Sequence, residues 1–111
     1  MQIVVKGRHV QVSDEVRKYI NEKTPRLVKY YDRINEVEVI LDHESEQFSA
    51  EIIVRVMPQQ TFVAQATGPD TFALVDGLLD KLERQLTKYK EKQRNHKGRS
   101  SADGANGEIK A

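Results

Sequence analysis

Apolar and polar positions alternate with two different periods along this chain, and the switches between them mark out the elements. Residues 2–7 place Ile3 and Val5 on one face, as a short strand does. Ser13 then stands where a helix N-cap is wanted, with Asp14 and Glu15 in the first turn, where the helix dipole favours anions. Val16, Ile20, Leu27 and Tyr31 follow on one helical face, which predicts a helix over 14–31. Pro25 interrupts it on the side away from Val16. Losing one backbone hydrogen bond there predicts a single bent helix rather than two.

The period then changes to two. Val37, Val39 and Leu41 alternate with Glu36, Glu38 and Asp42. Phe48, Ala50, Ile52, Val54 and Val56 repeat the pattern, and so do Phe62, Ala64 and Ala66. These predict strands over 36–42, 48–56 and 61–67, joined by a polar turn at 43–47 and a hairpin tip at Met57-Pro58-Gln59-Gln60. Gly68-Pro69-Asp70 closes the last strand, and Asp70 or Thr71 caps a long helix. Its apolar stripe is Val75, Leu78, Leu79, Leu82, Leu86 and Tyr89, and helix-forming residues continue to about His96. From Gly98 to Ala111 the chain is Gly-, Ser-, Ala- and Asn-rich without periodicity. The expectation is one domain over 1–97 and a disordered tail over 98–111.

Only one face of each strand is apolar, so the sheet is covered on one side. The prediction is an α+β fold, a β-α-β-β-β-α two-layer sandwich, with a four-stranded sheet covered on one face by two helices. The first strand, returning through a helix, runs parallel to a neighbour.

Composition narrows the chemistry. There is no cysteine, which removes disulfides, thiolate metal sites and cysteine nucleophiles. Ile3-Val4-Val5 is too short for a signal-peptide core or a membrane span, so a cytoplasmic protein without a membrane partner is expected. His9, His43 and His96 have no metal-ligand spacing, and neither a glycine-rich phosphate loop nor a G-x-S-x-G is present. Asp76 and Asp80 lie four apart on one helix face. Balancing Lys81 and Arg84 is the expected role for them, ahead of a catalytic carboxylate pair. No enzyme, cofactor, metal or small-molecule substrate is expected.

The charge distribution carries more. The whole chain sums to +1, but residues 81–99 hold eight cations against two anions, a local +6 that leaves −5 for the rest. On a helical projection Lys81, Arg84, Lys88 and Lys92 form a stripe far from the leucine face. Lys88 with Lys92, and Arg84 with Lys88, are like-charge pairs that each destabilise an isolated helix by about 0.2–0.5 kcal/mol. A polyanion partner offsets that penalty through counterion release, and a merely solvated helix face produces the same pattern. The first helix adds Arg17, Lys18, Lys23, Arg26 and Lys29, diluted by Glu15 and Glu22. Lys23 borders its apolar stripe, where the stem packs and the ammonium reaches out. Among the tyrosines, Tyr31 and Tyr89 lie on apolar stripes, and Tyr30 is the one expected to be exposed for stacking on a base.

Two segments resemble a known family. Tyr31-Asp32-Arg33-Ile34-Asn35 before a valine-rich strand, and the run from Asp76 through Lys90 (DGLLDKLERQLTKYK), are similar to the bacterial ribosome hibernation factors, also labelled sigma-factor modulation proteins. The resemblance covers residues 1 to about 96. It implies the same β-α-β-β-β-α fold and binding to the small ribosomal subunit in the channel for messenger and transfer RNA, with translation blocked by occlusion under stress or in stationary phase. It also implies ribosomal RNA contacts from Lys23, Arg26, Arg33, Lys81, Arg84, Lys88, Lys90 and Lys92, and a monomer in isolation. Two features depart from the family: Pro25 stands where an ordinary helix former is usual, and there is no room for the second domain of the long members. The competing readings are a general double-stranded-RNA-binding module, which also sets a basic helix against phosphates, and a protein-interaction module acting on a sigma factor.

Overall fold

The chain follows the order β1 (Gln2–Arg8), α1 (Asp14–Lys23), a 3₁₀ segment (Thr24–Lys29), β2 (Ile34–Glu44), β3 (Gln47–Val56), β4 (Gln60–Gly68) and α2 (Thr71–Gly98). This is a computed structural model; it describes the backbone of residues 1–98 and the side chains of residues 1–93. The expected tail over 98–111 therefore lies outside the described residues, apart from the helical backbone of Gly98.

The four strands form one mixed sheet in the order β1-β2-β3-β4. β1 pairs parallel to β2, with Ile3 opposite Val37 and Val5 opposite Val39. The other two pairings are antiparallel and keep the apolar rows in register: Val39 faces Ile52, and Ile52 faces Ala64. A one-residue slip would turn each of these rows to water, so burial on a single face fixes the register. The expected α+β sandwich is the observed one. Its core lies between the sheet and the helical layer, where Val37, Val39, Ile52 and Val54 meet Ile20, Leu27, Val75, Leu78, Leu79, Leu82 and Leu86, all completely buried.

The first helical element differs from the expectation. It is not one bent helix over 14–31 but an α-helix that stops at Lys23, followed by a six-residue 3₁₀ segment with Pro25 in its first turn. The last α-type bond of the first piece runs from the Thr24 N–H to the Ile20 carbonyl. Pro25 has no N–H to extend the ladder, and its ring crowds the carbonyl four residues back. The chain winds tighter instead, and the Tyr30 N–H reaches the Leu27 carbonyl at 2.9 Å. Leu27 and Tyr31 still land in the core. Val16, expected in the core, is half-buried at its edge.

Ser13 caps α1 as expected, its Oγ accepting from the Val16 N–H at 3.2 Å. At α2, Asp70 is the cap. Its side chain accepts from the Phe72 N–H at 2.9 Å and its carbonyl from the Leu74 N–H. α2 runs to Gly98, slightly beyond the expected end near His96.

Candidate nucleic-acid interface

α2 is amphipathic in the simplest sense. Leu74, Val75, Leu78, Leu79, Leu82 and Leu86 are buried against the sheet, so whatever lies opposite faces solvent. Lys81, Arg84, Lys88, Lys90 and Lys92 are all exposed. Among the described residues none of these five makes an ion pair.

Three acidic residues of the same helix, Asp76, Asp80 and Glu83, are used differently. They point across the seam to the first helical layer, not along α2 toward Lys81 and Arg84 as expected. Tyr19 Oη donates to Asp76 Oδ1 at 2.6 Å, and Arg26 Nη2 donates to Asp80 Oδ1 at 2.9 Å. Arg26 Nε also lies 2.5 Å from Glu83 Oε2, a charge contact whose angle does not make it a hydrogen bond. The Tyr19 ring meets Phe72 edge-on at 5.0 Å. Its phenol is held above its usual pKa, first by the hydrogen bond to Asp76, then by desolvation and by the charge of that carboxylate. These three carboxylates thus bind the helices together, and among the described residues none of the five cations is ion-paired with them.

The eight sequence-identified cations are not equivalent. Lys81, Arg84, Lys88 and Lys92 share one side of α2, and Lys90, nine residues after Lys81, is exposed on the opposite flank. Lys23 is exposed at the end of α1, its ammonium 5.6 Å from the Tyr19 ring centre, a cation–π distance. Arg33 is exposed between the 3₁₀ segment and β2, where its carbonyl accepts from the Met57 N–H at 2.9 Å. Arg26 is half-buried between Asp80 and Glu83. Sequence reasoning missed that clasp, although the spacing of Asp76, Asp80 and Glu83, four and then three residues apart, put three anions on one flank of the helix.

The tyrosines also sort by environment. Tyr31 is buried, its hydroxyl donating to the Met57 carbonyl at 2.7 Å and its ring 5.4 Å from that of Tyr89. Burial raises its pKa first, with Tyr89 adding to the effect. Tyr30, expected to be exposed, is half-buried against the core at the edge of the helical layer.

The uncovered face of the sheet is electrostatically different. Glu38 accepts from Lys6 Nζ at 2.9 Å and from Arg55 Nη1 at 3.3 Å, and Arg55 also reaches Glu36. Asp42 takes His9 Nδ1 at 3.0 Å and the His43 N–H at 2.8 Å, while Gln65 bonds Glu51. Lys6, His9, Arg55, Glu36, Glu38 and Asp42 are thus paired on this side. Among the described residues no group of three or more His, Cys, Asp or Glu is placed to hold a metal ion, and no helix is long and apolar enough to cross a membrane.

This geometry has known counterparts. The ribosome hibernation promoting factor of Escherichia coli strain K12 is 38% identical over 96 residues, covering 86% of this chain and all of the relative. That of Pseudomonas putida strain KT2440 is 41% identical over 93 residues, covering 84% of this chain and 90% of the relative. Among solved structures, a ribosomal subunit interface protein from Coxiella burnetii superposes with a TM-score of 0.76 at 32% identity, over 82% of this chain and 99% of the other. Residues 3–94 match the family described as sigma 54 modulation protein / S30EA ribosomal protein, and with a match over most of its length the chain belongs to that family.

Proposed function

We propose that this protein is a cytoplasmic, non-catalytic ribosome hibernation factor that docks on the small ribosomal subunit through ribosomal RNA and blocks translation by occupying the messenger and transfer RNA channel. The observation that carries the docking face is the unpaired row Lys81, Arg84, Lys88 and Lys92 on a helix whose other side is filled by leucines, with Lys90 exposed on the far flank. Exposed and without an ion pair among the described residues, these cations are available to phosphate. Lys23 and Arg33 extend the face. Arg26 belongs to it through Asp80 and Glu83, which fix α2 on the first helical layer. The unit that docks is residues 1–97, with 98–111 outside it.

The hibernation role comes from relatives named for it that match nearly end to end. These do not favour a general duplex-RNA-binding module or a protein-interaction module for a sigma factor. The test is sedimentation with isolated small and large subunits across a salt series. The protein should travel with small subunits, and the logarithm of its affinity should fall linearly with the logarithm of salt, by about 0.7–0.9 units of slope per phosphate neutralised. Equal binding to free RNA duplex and to small subunits would restore the general duplex-binding reading.

A further inference from the structure

Beside the cationic row, between the 3₁₀ segment and α2, runs a groove of about 430 Å³ lined by Tyr30, Asp80, Glu83, Arg84, Thr87 and Lys88. That volume lies within the usual range for small-ligand sites, about 300–1,000 Å³. Its lining combines three kinds of group. Tyr30 supplies an aromatic surface, held in place because it also packs on the core. Arg84 and Lys88 supply two exposed positive charges. Asp80 supplies an acceptor: Oδ1 is engaged by Arg26, but the side chain is 57% exposed, leaving its second oxygen for a donor. The Glu83 carboxylate, 17% exposed, is turned to Arg26.

A bare phosphate suits only the cations and would meet the Asp80 carboxylate. A simple amine suits only Asp80 and would meet Arg84 and Lys88. A nucleotide matches all three groups, because it joins an anionic phosphate to a flat ring that carries amine donors. The geometry points to a site for one unpaired nucleotide: base against Tyr30, exocyclic amine toward Asp80, phosphate between Arg84 and Lys88. The ligand class is an unstacked adenine, cytosine or guanine nucleotide. Uracil has no exocyclic amine, and a base stacked inside a duplex has no free face for Tyr30. This rests on the reading that the α2 face meets RNA, and it adds that the face reads one extruded base as well as backbone charge.

The experiment is fluorescence anisotropy with labelled hexaadenylate, hexauridylate and an abasic ribose-phosphate hexamer. The proteins compared are the wild type, Tyr30→Leu, Tyr30→Phe and the double variant Arg84→Glu/Lys88→Glu. The wild type should bind hexaadenylate roughly 5- to 150-fold more tightly than the abasic strand, the range expected of one base–aromatic stack. Hexauridylate should fall between them. Tyr30→Leu should bring hexaadenylate down to the abasic level, Tyr30→Phe should keep the preference, and the charge reversal should weaken all three strands. Equal wild-type affinity for hexaadenylate and the abasic strand overturns the site, and so does a preference that survives Tyr30→Leu. If Tyr30→Leu does not fold, the Tyr30 ring resonances of the wild type decide: shifted by hexaadenylate but not by the abasic strand supports the site, and unshifted by both overturns it. Loss of the site with small-subunit binding intact leaves the proposed function standing; failure of the wild type to bind small subunits removes that function itself.

Discussion

Arg26 in the 3₁₀ segment donates from Nη2 to Asp80 Oδ1 of α2 at 2.9 Å, across 54 residues of sequence. With Glu83 on its Nε side, the guanidinium lies between two carboxylates. The contact follows from Pro25. By ending α1 and starting the tighter segment, Pro25 sets the rotation at which Arg26 meets the acidic flank of α2.

Arg26→Ala should therefore cost stability as well as any affinity. The guanidinium side chain is 35% exposed, so the ion pairs are worth the modest sum typical of accessible pairs, about 0.2–1 kcal/mol. A double-mutant cycle of Arg26→Ala with Asp80→Ala, followed by urea melts, should give a coupling energy in that range. Additive single effects would show that the pair does not bind the helices together.

Thr24 is completely buried and its hydroxyl has no hydrogen-bond partner among the described residues. Thr24→Val keeps the shape and removes the unpaired group, so it should stabilise the protein by about 1 kcal/mol. A fall in melting temperature would mean that the hydroxyl is satisfied after all.

Gly77 is exposed within α2, and a Cβ built there meets nothing within 4 Å. Glycine inside a helix is about 0.8–1 kcal/mol less favourable than alanine. Gly77→Ala should therefore raise the melting temperature by ~4–8 °C, as 1 kcal/mol does in a domain near this size. No rise, or a fall, would show that the backbone at this position is not that of an ordinary helix.

The open sheet face gives a pH test. Lys6, donating to Glu38, is the main cause holding that carboxyl below its ordinary value of 4.5. Burial works the other way and Arg55 adds to the lowering. A carboxyl whose pKa is lower folded than unfolded contributes stability above the unfolded value and loses it as pH falls through the folded one. The gap in melting temperature between wild type and Glu38→Gln should be open at pH 7, narrow only below pH 4.5 and close once Glu38 is protonated in the folded protein. A gap of constant size down to pH 2 would mean that the charge of Glu38 is irrelevant to folding.

The sheet could be read from the sequence because each strand alternates over several residues and only one face is buried, so Val37, Val39, Ile52 and Val54 had a single place to go. The basic row was readable for the same reason on α2, where the leucines fix the helix rotation and with it the direction of Arg84 and Lys88. The end of α1 was not. Leu27 and Tyr31 fit a helical stripe whether or not Pro25 divides it, and both windings leave them buried. The pairing of Arg26 with α2 was not legible for a related reason. Its neighbours Asp80 and Glu83 come from the far end of the chain, and sequence spacing says nothing about pairs that only packing brings together. Tyr30 lies in the same seam, so its half-buried state depends on how the 3₁₀ segment meets α2.

The most direct test of the whole account reverses the charge of Arg84 and Lys88. Both side chains are exposed and neither makes an ion pair among the described residues, so Arg84→Glu/Lys88→Glu should leave the melting temperature within about 2 °C of wild type. Two attractions for phosphate become two repulsions, and affinity for the small ribosomal subunit should fall on the order of 100-fold in a co-sedimentation assay at fixed salt. A double variant that folds normally and co-sediments with small subunits at wild-type affinity would contradict the account.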